Sequence, residues 1–251
     1  MAVANLSQST QDDLKCIWTL QEWSHGPVAM TALAERLGVR TSTASDGIKK
    51  LRQQGLVDHV AYGGITLTPA GRAHAVTMVR RHRLLETYLV QELGYDWDEV
   101  HDEAEVLEHA VSDRLIAAID ARLGHPTRDP HGDPIPTAEG AERRPEALSL
   151  ADAPAGSYTV ARISDADADR LRRFAEIGVV PDATLTIADD GAITVGGVTT
   201  ALADGDRNAL WVLALDRDDD ERSVEDDDEG DNEPSDRRDR SGRRVPAHDE
   251  S

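Results

Sequence analysis

The chain has 251 residues and sets 48 Asp and Glu against 27 Lys and Arg, for a formal net charge of -21. That length suits two or three modest domains rather than one large core, and with aromatics at 4% each core must be small and aliphatic. No run of 18 apolar residues is present, so no membrane partner is expected. The start MAVANLSQSTQDDLK has no basic stretch followed by an apolar run, so a cytoplasmic protein is expected. The single cysteine, Cys16, excludes an intrachain disulfide and a Cys-rich zinc site.

The acidity is uneven. Residues 1–72 carry seven Lys/Arg and six Asp/Glu, whereas residues 217–251 carry seven and fifteen. The segment that would approach phosphate is therefore spared. Lysine occurs only at Lys15, Lys49 and Lys50, and Asp is abundant. This suits a protein soluble in concentrated salt, as in a halophile; an Arg-for-Lys bias of a GC-rich genome is the alternative.

In chain order, residues 10–24 read as a helix with Leu14, Ile17 and Trp18 on one face, ended by Gly26-Pro27. AMTALAERL (29–37) forms a second short helix, and Gly38-Val39 turns the chain. Thr41 is expected to cap a third helix reaching about Gln54, with Ile48 and Leu51 inward and Gly55 closing it. LVDHV and ITLT, separated by Ala61-Tyr62-Gly63-Gly64, read as a hairpin. That order is a winged helix-turn-helix domain over 1–73.

Thr68-Pro69 starts a helix running to about Leu93, a capping hydroxyl followed by proline. A further helix runs from Asp96 or Asp98 past His109 to about Leu123, with Ser112 a candidate break. Leu84, Leu85, Tyr88, Leu89, Val106, Leu107, Val111, Leu115 and Ile119 give these helices apolar faces too large for a lone pair. A dimerisation domain over 74–143 is expected. Residues 125–156 are rich in Pro, Gly and charge and read as a tether. YTVARI, ATLTIA, AITVGG and LWVLAL alternate apolar and polar residues, which predicts an SH3-like β-barrel over 150–216 with one helical turn around 167–177. Residues 217–251 have almost no apolar content and read as a disordered acidic tail. The fold class is thus mainly α with a small β module.

The segment HDEAEVLEH (101–109) carries the chemistry. On a helix, His101, Glu105, Glu108 and His109 fall within an arc of roughly 100°. RHRLLE places His82 and Glu86 one turn apart. Two antiparallel helices with such faces can chelate a cation between them. The bland alternative is a solvated acidic face, with His82 and His101 as ordinary surface or core histidines.

RRHRLLETYLVQELGYDWDEVHDEAEVLEHAVSD resembles the metal-binding core of the diphtheria-toxin-repressor family, and the domain order over about 1–216 is similar to that family's, including HGDPIP and a FeoA-like third domain around GVVPDATLTI. The resemblance implies a primary, regulatory site of Asp12, Glu105, Glu108 and His109. It also implies an ancillary site of His82, Glu86 and His101, joined by a third-domain ligand, Asp165 or nearly as well Asp167. Iron-responsive members place Met and Cys where this chain has Asp12 and Glu105, so Mn2+ is the expected cofactor, with Fe2+ possible. Some manganese-responsive relatives carry a carboxylate where this chain has Lys15, so two separated mononuclear sites are expected.

The resemblance implies a homodimeric repressor of metal-uptake genes, bound to double-stranded DNA at a pseudo-palindromic operator. Its third helix would turn Arg40, Thr41, Ser42, Thr43, Ser45, Lys49 and Lys50 toward DNA, with Lys49 and Lys50 on phosphates. The hairpin, with His59 and Tyr62, either touches DNA or is an ordinary turn. An iron(II)-dependent repressor is the main rival. A winged-helix repressor sensing another signal is a further alternative. So is a dimetal hydrolase, although no nucleophile motif or Gly-rich loop supports one.

Overall fold

The protein is described from a computed structural model covering residues 6–24, 26–60, 64–142 and 145–215. The first helices are α1 (Gln8–Ser24), α2 (Met30–Arg36) and α3 (Thr41–Gln53), followed by strands β1 (Val57–Val60) and β2 (Gly64–Leu67). Leu14, Ile17 and Trp18 of α1 meet Leu33, Ile48, Leu51 and Ile65 in a core with almost no solvent exposure. The strands pair antiparallel, Val57 opposite Leu67 and Val60 opposite Gly64, and Val28 bridges to Ile65. This is a winged helix-turn-helix domain. Thr41 is not the cap expected of it: Arg40 takes that place in extended backbone, with no side-chain capping bond. The first-turn N–H groups of α3 therefore keep no side-chain cap. The turn residues 61–63, including Tyr62, and the side chain of His59 lie outside the described residues.

Helix α4 (Pro69–Leu93) links two cores. It starts where the Thr68 hydroxyl accepts from the Gly71 N–H at 3.1 Å, and ends at Gly94, whose φ of 74° favours glycine. Gly71 is needed for another reason: a Cβ there would run into the Leu56 carbonyl. Ala75, Val76 and Val79 of α4 join the first core. Leu84, Leu85 and Leu89 join a second, with Val100, Ala104, Ile116, Ile119 and Ile135. The helix expected after Gly94 is two shorter ones, α5 (Val100–Leu107) and α6 (Asp113–Arg122). Ser112 caps α6 by accepting from the Leu115 N–H at 3.2 Å, which fixes the break. Leu93, Tyr95, Val106 and Leu115 stay exposed, Val106 at 69%.

The segment expected to be a tether, residues 125–156, contains a buried stretch. His131 to Pro136 are buried. One oxygen of Asp129 accepts from the N–H groups of both His131 and Asp133, at 2.9 Å each, folding the segment on itself. Gly132 then passes so close to the Ala161 carbonyl that a Cβ would not fit.

The remaining elements are β3 (Leu148–Ser149), β4 (Gly156–Ile163), α7 (Ala168–Glu176), β5 (Thr184–Ile187), β6 (Ile193–Val195), β7 (Val198–Thr200), α8 (Asp204–Arg207) and β8 (Leu210–Ala214). The strands form one antiparallel sheet in the order β3-β8-β4-β5-β6-β7, with a bulge in β4 between Val160 and Arg162. Alternate strand residues such as Val160, Leu185, Ile187, Ile193 and Val195 pack with Leu171 and Phe174 of α7. This is the small SH3-like β module, with α7 longer than the single turn expected. The tail, 217–251, lies outside the described residues.

A buried arginine ties these parts together. Arg83 of α4 donates to Glu22 of α1 at 2.7 Å and to the Pro134 carbonyl at 2.7 Å. It lies 3.5 Å from Asp129 and 3.6 Å from Asp133. Its guanidinium carbon stands 5.3 Å from the centre of the Trp18 ring, close enough for a cation–π contact. Arg162 of β4 reaches the same carboxylates, 3.0 Å from Asp133 and 3.4 Å from Glu22.

Candidate metal centres

Asp12 of α1, Glu105 of α5, Glu108 and His109 each bring one donor atom within 4.8 Å of the others. Helix α5 ends at Leu107, so His109 is not on the helical arc drawn from sequence. It faces the same way because Glu108 keeps helical backbone angles, φ -58° and ψ -27°. His109 Nδ1 donates to the Gln11 side-chain oxygen at 2.9 Å. That bond leaves Nε2 as the free face of the ring, 2.9 Å from Asp12 Oδ1. Asp12 Oδ1 is buried yet has no directed hydrogen bond. Three carboxylates thus converge with an imidazole whose Nε2 faces Asp12, and a hard divalent cation fits this oxygen-rich set. The Asp12 side chain remains 40% exposed, which leaves the set open to solvent. Burial lifts the Asp12 carboxyl above its ordinary range; His109 and Lys15 oppose the lift, and Glu105 and Glu108 add to it.

His82 and Glu86 of α4, His101 of α5 and Asp165, between β4 and α7, form a second set within the same 4.8 Å limit. His82 Nε2 lies 2.9 Å from Glu86 Oε1, and His101 Nδ1 lies 3.0 Å from Asp165 Oδ2. Sequence left Asp165 and Asp167 nearly equal. The structure brings Asp165 to the set, whereas Asp167 caps α7, accepting from the Arg170 N–H at 3.0 Å. Burial opposes a charge on either imidazole. The carboxylates outweigh it: Glu86 first among them carries His82 up to about 9, and Asp165 first among them carries His101 up to about 11. Burial likewise opposes ionisation of Asp165, but His101 holds it well below the ordinary carboxylate range.

The two sets share no residue, and their side chains come close to one another. His82 Nδ1 is 2.7 Å from Glu108 Oε2, and His101 Nε2 is 3.6 Å from Glu105 Oε1. Lys15 stands at this seam. Its ammonium donates to Glu105 Oε1 at 2.6 Å and Glu108 Oε1 at 2.7 Å, and lies 3.5 Å from His82 Nδ1.

Sequence reasoning missed a third set, buried Glu86, Asp129 and His131. His131 Nε2 meets the Trp97 carbonyl at 2.7 Å, and since a carbonyl only accepts, that nitrogen carries the proton. His131 Nδ1 and Glu86 Oε2, 3.8 Å apart, both lack a hydrogen-bond partner. The signal was Asp129-Pro130-His131 inside the segment read as a tether.

Comparison with known proteins places this arrangement. Residues 5–65 match the N-terminal DNA-binding domain of iron-dependent repressors, and residues 68–137 their metal-binding and dimerisation domain. Residues 148–213 match the FeoA domain. The chain is 32% identical over 216 residues to the iron-dependent repressor IdeR of Mycobacterium tuberculosis, covering 81% of this chain and 92% of that protein. The chain belongs to the iron-dependent repressor family. The diphtheria toxin repressor of Corynebacterium diphtheriae is 34% identical over 132 residues, 53% of this chain and 58% of that one. A solved structure titled a manganese-dependent transcriptional repressor in complex with manganese is 55% identical, with a TM-score of 0.77 over 82% of this chain and all of that one.

The residues of α3 expected to face DNA are placed by that helix's burial pattern. Arg40, Thr41, Ser42, Thr43, Ser45, Lys49 and Lys50 are all exposed, while Ala44, Ile48 and Leu51 of the same helix are buried. Helix α3 therefore fixes its position with one stripe and offers the other to solvent.

Proposed function

We propose that this chain is a Mn2+-activated homodimeric repressor of metal-uptake genes that binds a pseudo-palindromic operator. The observation that carries the reading is the meeting of Asp12, on a helix of the DNA-binding domain, with Glu105, Glu108 and His109 on the dimerisation side. These four residues would hold a divalent cation, which supplies positive charge where three carboxylates converge. Asp12 then becomes a fixed point between α1 and α5. Fixing α1 limits how the α3 helices of two subunits can be spaced, so the DNA-competent arrangement gains population. Exposed hydroxyls at 41–43 and 45, with Lys49 and Lys50, are placed for phosphate and base-edge contacts. His82, Glu86, His101 and Asp165 would hold a second cation, with Asp129 and His131 extending the donors around Glu86.

The choice of Mn2+ rests on donor chemistry. Asp12, Glu105 and Glu108 offer oxygen, His109 offers one imidazole, and no sulfur enters, which suits a hard ion. The manganese complex among the solved relatives supports the same choice. Iron-dependent IdeR relatives keep Fe2+ as a second reading.

The test is fluorescence anisotropy on an operator selected from random duplexes, titrated anaerobically with Mn2+, Fe2+ and Zn2+. Mn2+ is expected to activate the wild type, and EDTA to release the DNA. The double substitution Asp12→Met/Glu105→Cys is expected to shift preference toward Fe2+. An unchanged preference would refute the hardness argument, and binding indifferent to EDTA would refute metal sensing.

A further inference from the structure

Lys15 places a positive charge where a metal sensor would be expected to keep only donors. Its side chain is 11% exposed and Glu108 is fully buried. The ammonium makes two short charge-assisted bonds, to Glu105 at 2.6 Å and to Glu108 at 2.7 Å. These two carboxylates belong to the first donor set, and the His82 ring 3.5 Å away belongs to the second. One chemical fact follows from this geometry. The same carboxylate oxygens cannot serve the ammonium and an incoming cation at full strength. A buried carboxylate also cannot cheaply stand without either.

We propose that Lys15 is a tethered counter-cation of the first donor set. It compensates Glu105 and Glu108 in the metal-free protein and, by competing for their oxygens, weakens divalent-cation binding there and so sets the concentration at which the sensor responds. The inference rests on the metal-sensor reading above. Lys15 is a positioning residue rather than a ligand.

The experiment titrates the full chain with Mn2+ alone, read by calorimetry and by the electron paramagnetic resonance signal of free Mn2+. The binding event lost in Asp12→Ala identifies the first set. Lys15→Met keeps the apolar stem and removes the charge. It is expected to bind Mn2+ at that set about tenfold more tightly or better, since a unit charge a few ångströms away dominates the local field. Its metal-free form is expected to melt below wild type and to gain more from Mn2+ than wild type does. Lys15→Arg retains the charge and is expected to stay within about threefold of wild-type affinity. Equal or weaker binding by Lys15→Met would overturn the proposal, as would Lys15→Arg binding as tightly as Lys15→Met. If Lys15→Met is unfolded without metal, refolding by Mn2+ but not by K+ supports the counter-cation role, and failure to refold with Mn2+ overturns it. A wild type that binds no Mn2+ refutes the sensor reading itself, a result distinct from any of these.

Discussion

Replacing Arg83 with Met tests how strongly the buried charges hold the domains together. The guanidinium faces Glu22, Asp129 and Asp133, whose side chains are 2%, 2% and 6% exposed. It also supplies the donor for the Pro134 carbonyl. Methionine fills most of the volume, so the change isolates charge. Arg162 still reaches Glu22 and Asp133, so the carboxylates are not wholly abandoned. Breaking a buried pair by removing one partner costs about 3–5 kcal/mol. At about 2–4 °C per kcal/mol for a protein of this size, the melting temperature should fall by roughly 6–20 °C. The assay is thermal denaturation by circular dichroism in EDTA at pH 7.5, repeated at pH 5.

Burial carries Asp133 up to about 6 from 3.8, against the pull of Arg83 and Arg162, and lifts Asp129 well above its ordinary value. A carboxyl raised on folding gives stability that is complete below its unfolded value and is lost as pH rises through the folded one. Without Arg83 both groups rise further, so the deficit should be largest at pH 7.5 and shrink at pH 5, where they take up protons. A loss below about 1 kcal/mol, the scale of an exposed ion pair, would refute the argument that this network is desolvated.

Four further outcomes are expected. Asp12→Ala should leave the circular dichroism spectrum intact but lower Mn2+-dependent operator affinity by roughly 5–150-fold, the range of ordinary allosteric coupling, measured by anisotropy. Lys49→Ala and Lys50→Ala should each weaken binding across all DNA sequences and reduce the salt slope by about one, as phosphate contacts do. Gly71→Ala should destabilise by about 1–3 kcal/mol in urea denaturation despite better helix propensity, because its Cβ meets the Leu56 carbonyl. Because His82 is carried up to about 9 and His101 to about 11, both hold protons at neutral pH in the metal-free protein. Loading the second set should therefore release about two protons and weaken as pH falls; calorimetry in buffers of different ionisation heat counts them.

What could be read from the sequence was whatever local pattern controls. Thr68-Pro69 marked the start of α4, and alternation of apolar and polar residues marked β5 and β6. The spacing of Leu14, Ile17 and Trp18 marked the buried face of α1. The His82, Glu86 and His101–His109 motifs pointed to cation chemistry, and the family resemblance divided them into two groups. The segment around Asp129–Pro136 misled because its composition is that of a solvated loop. It is buried because Arg83 and Arg162, distant in sequence, bring the countercharge, and because Asp129 bonds its own backbone. No local window contains those partners. The same holds for Lys15, whose acceptors lie 90 and 93 residues away. Strand β3 is two residues long, too short to show alternation, and β7 has no buried face to reveal it. Asp165 and Asp167 differ only in which neighbour they reach, which tertiary structure decides.

The interlocking of Arg162 and Asp165 with the helical part limits how this protein can be dissected. A fragment stopping before β3 would not be a smaller version of the regulator. It would forfeit one of the two cations that quiet Glu22 and Asp133, and one donor of the second set. Such a fragment should expose the acid-lined face of residues 129–136 and behave as a destabilised species, so a gene truncated there would yield loss of function through instability rather than a minimal switch.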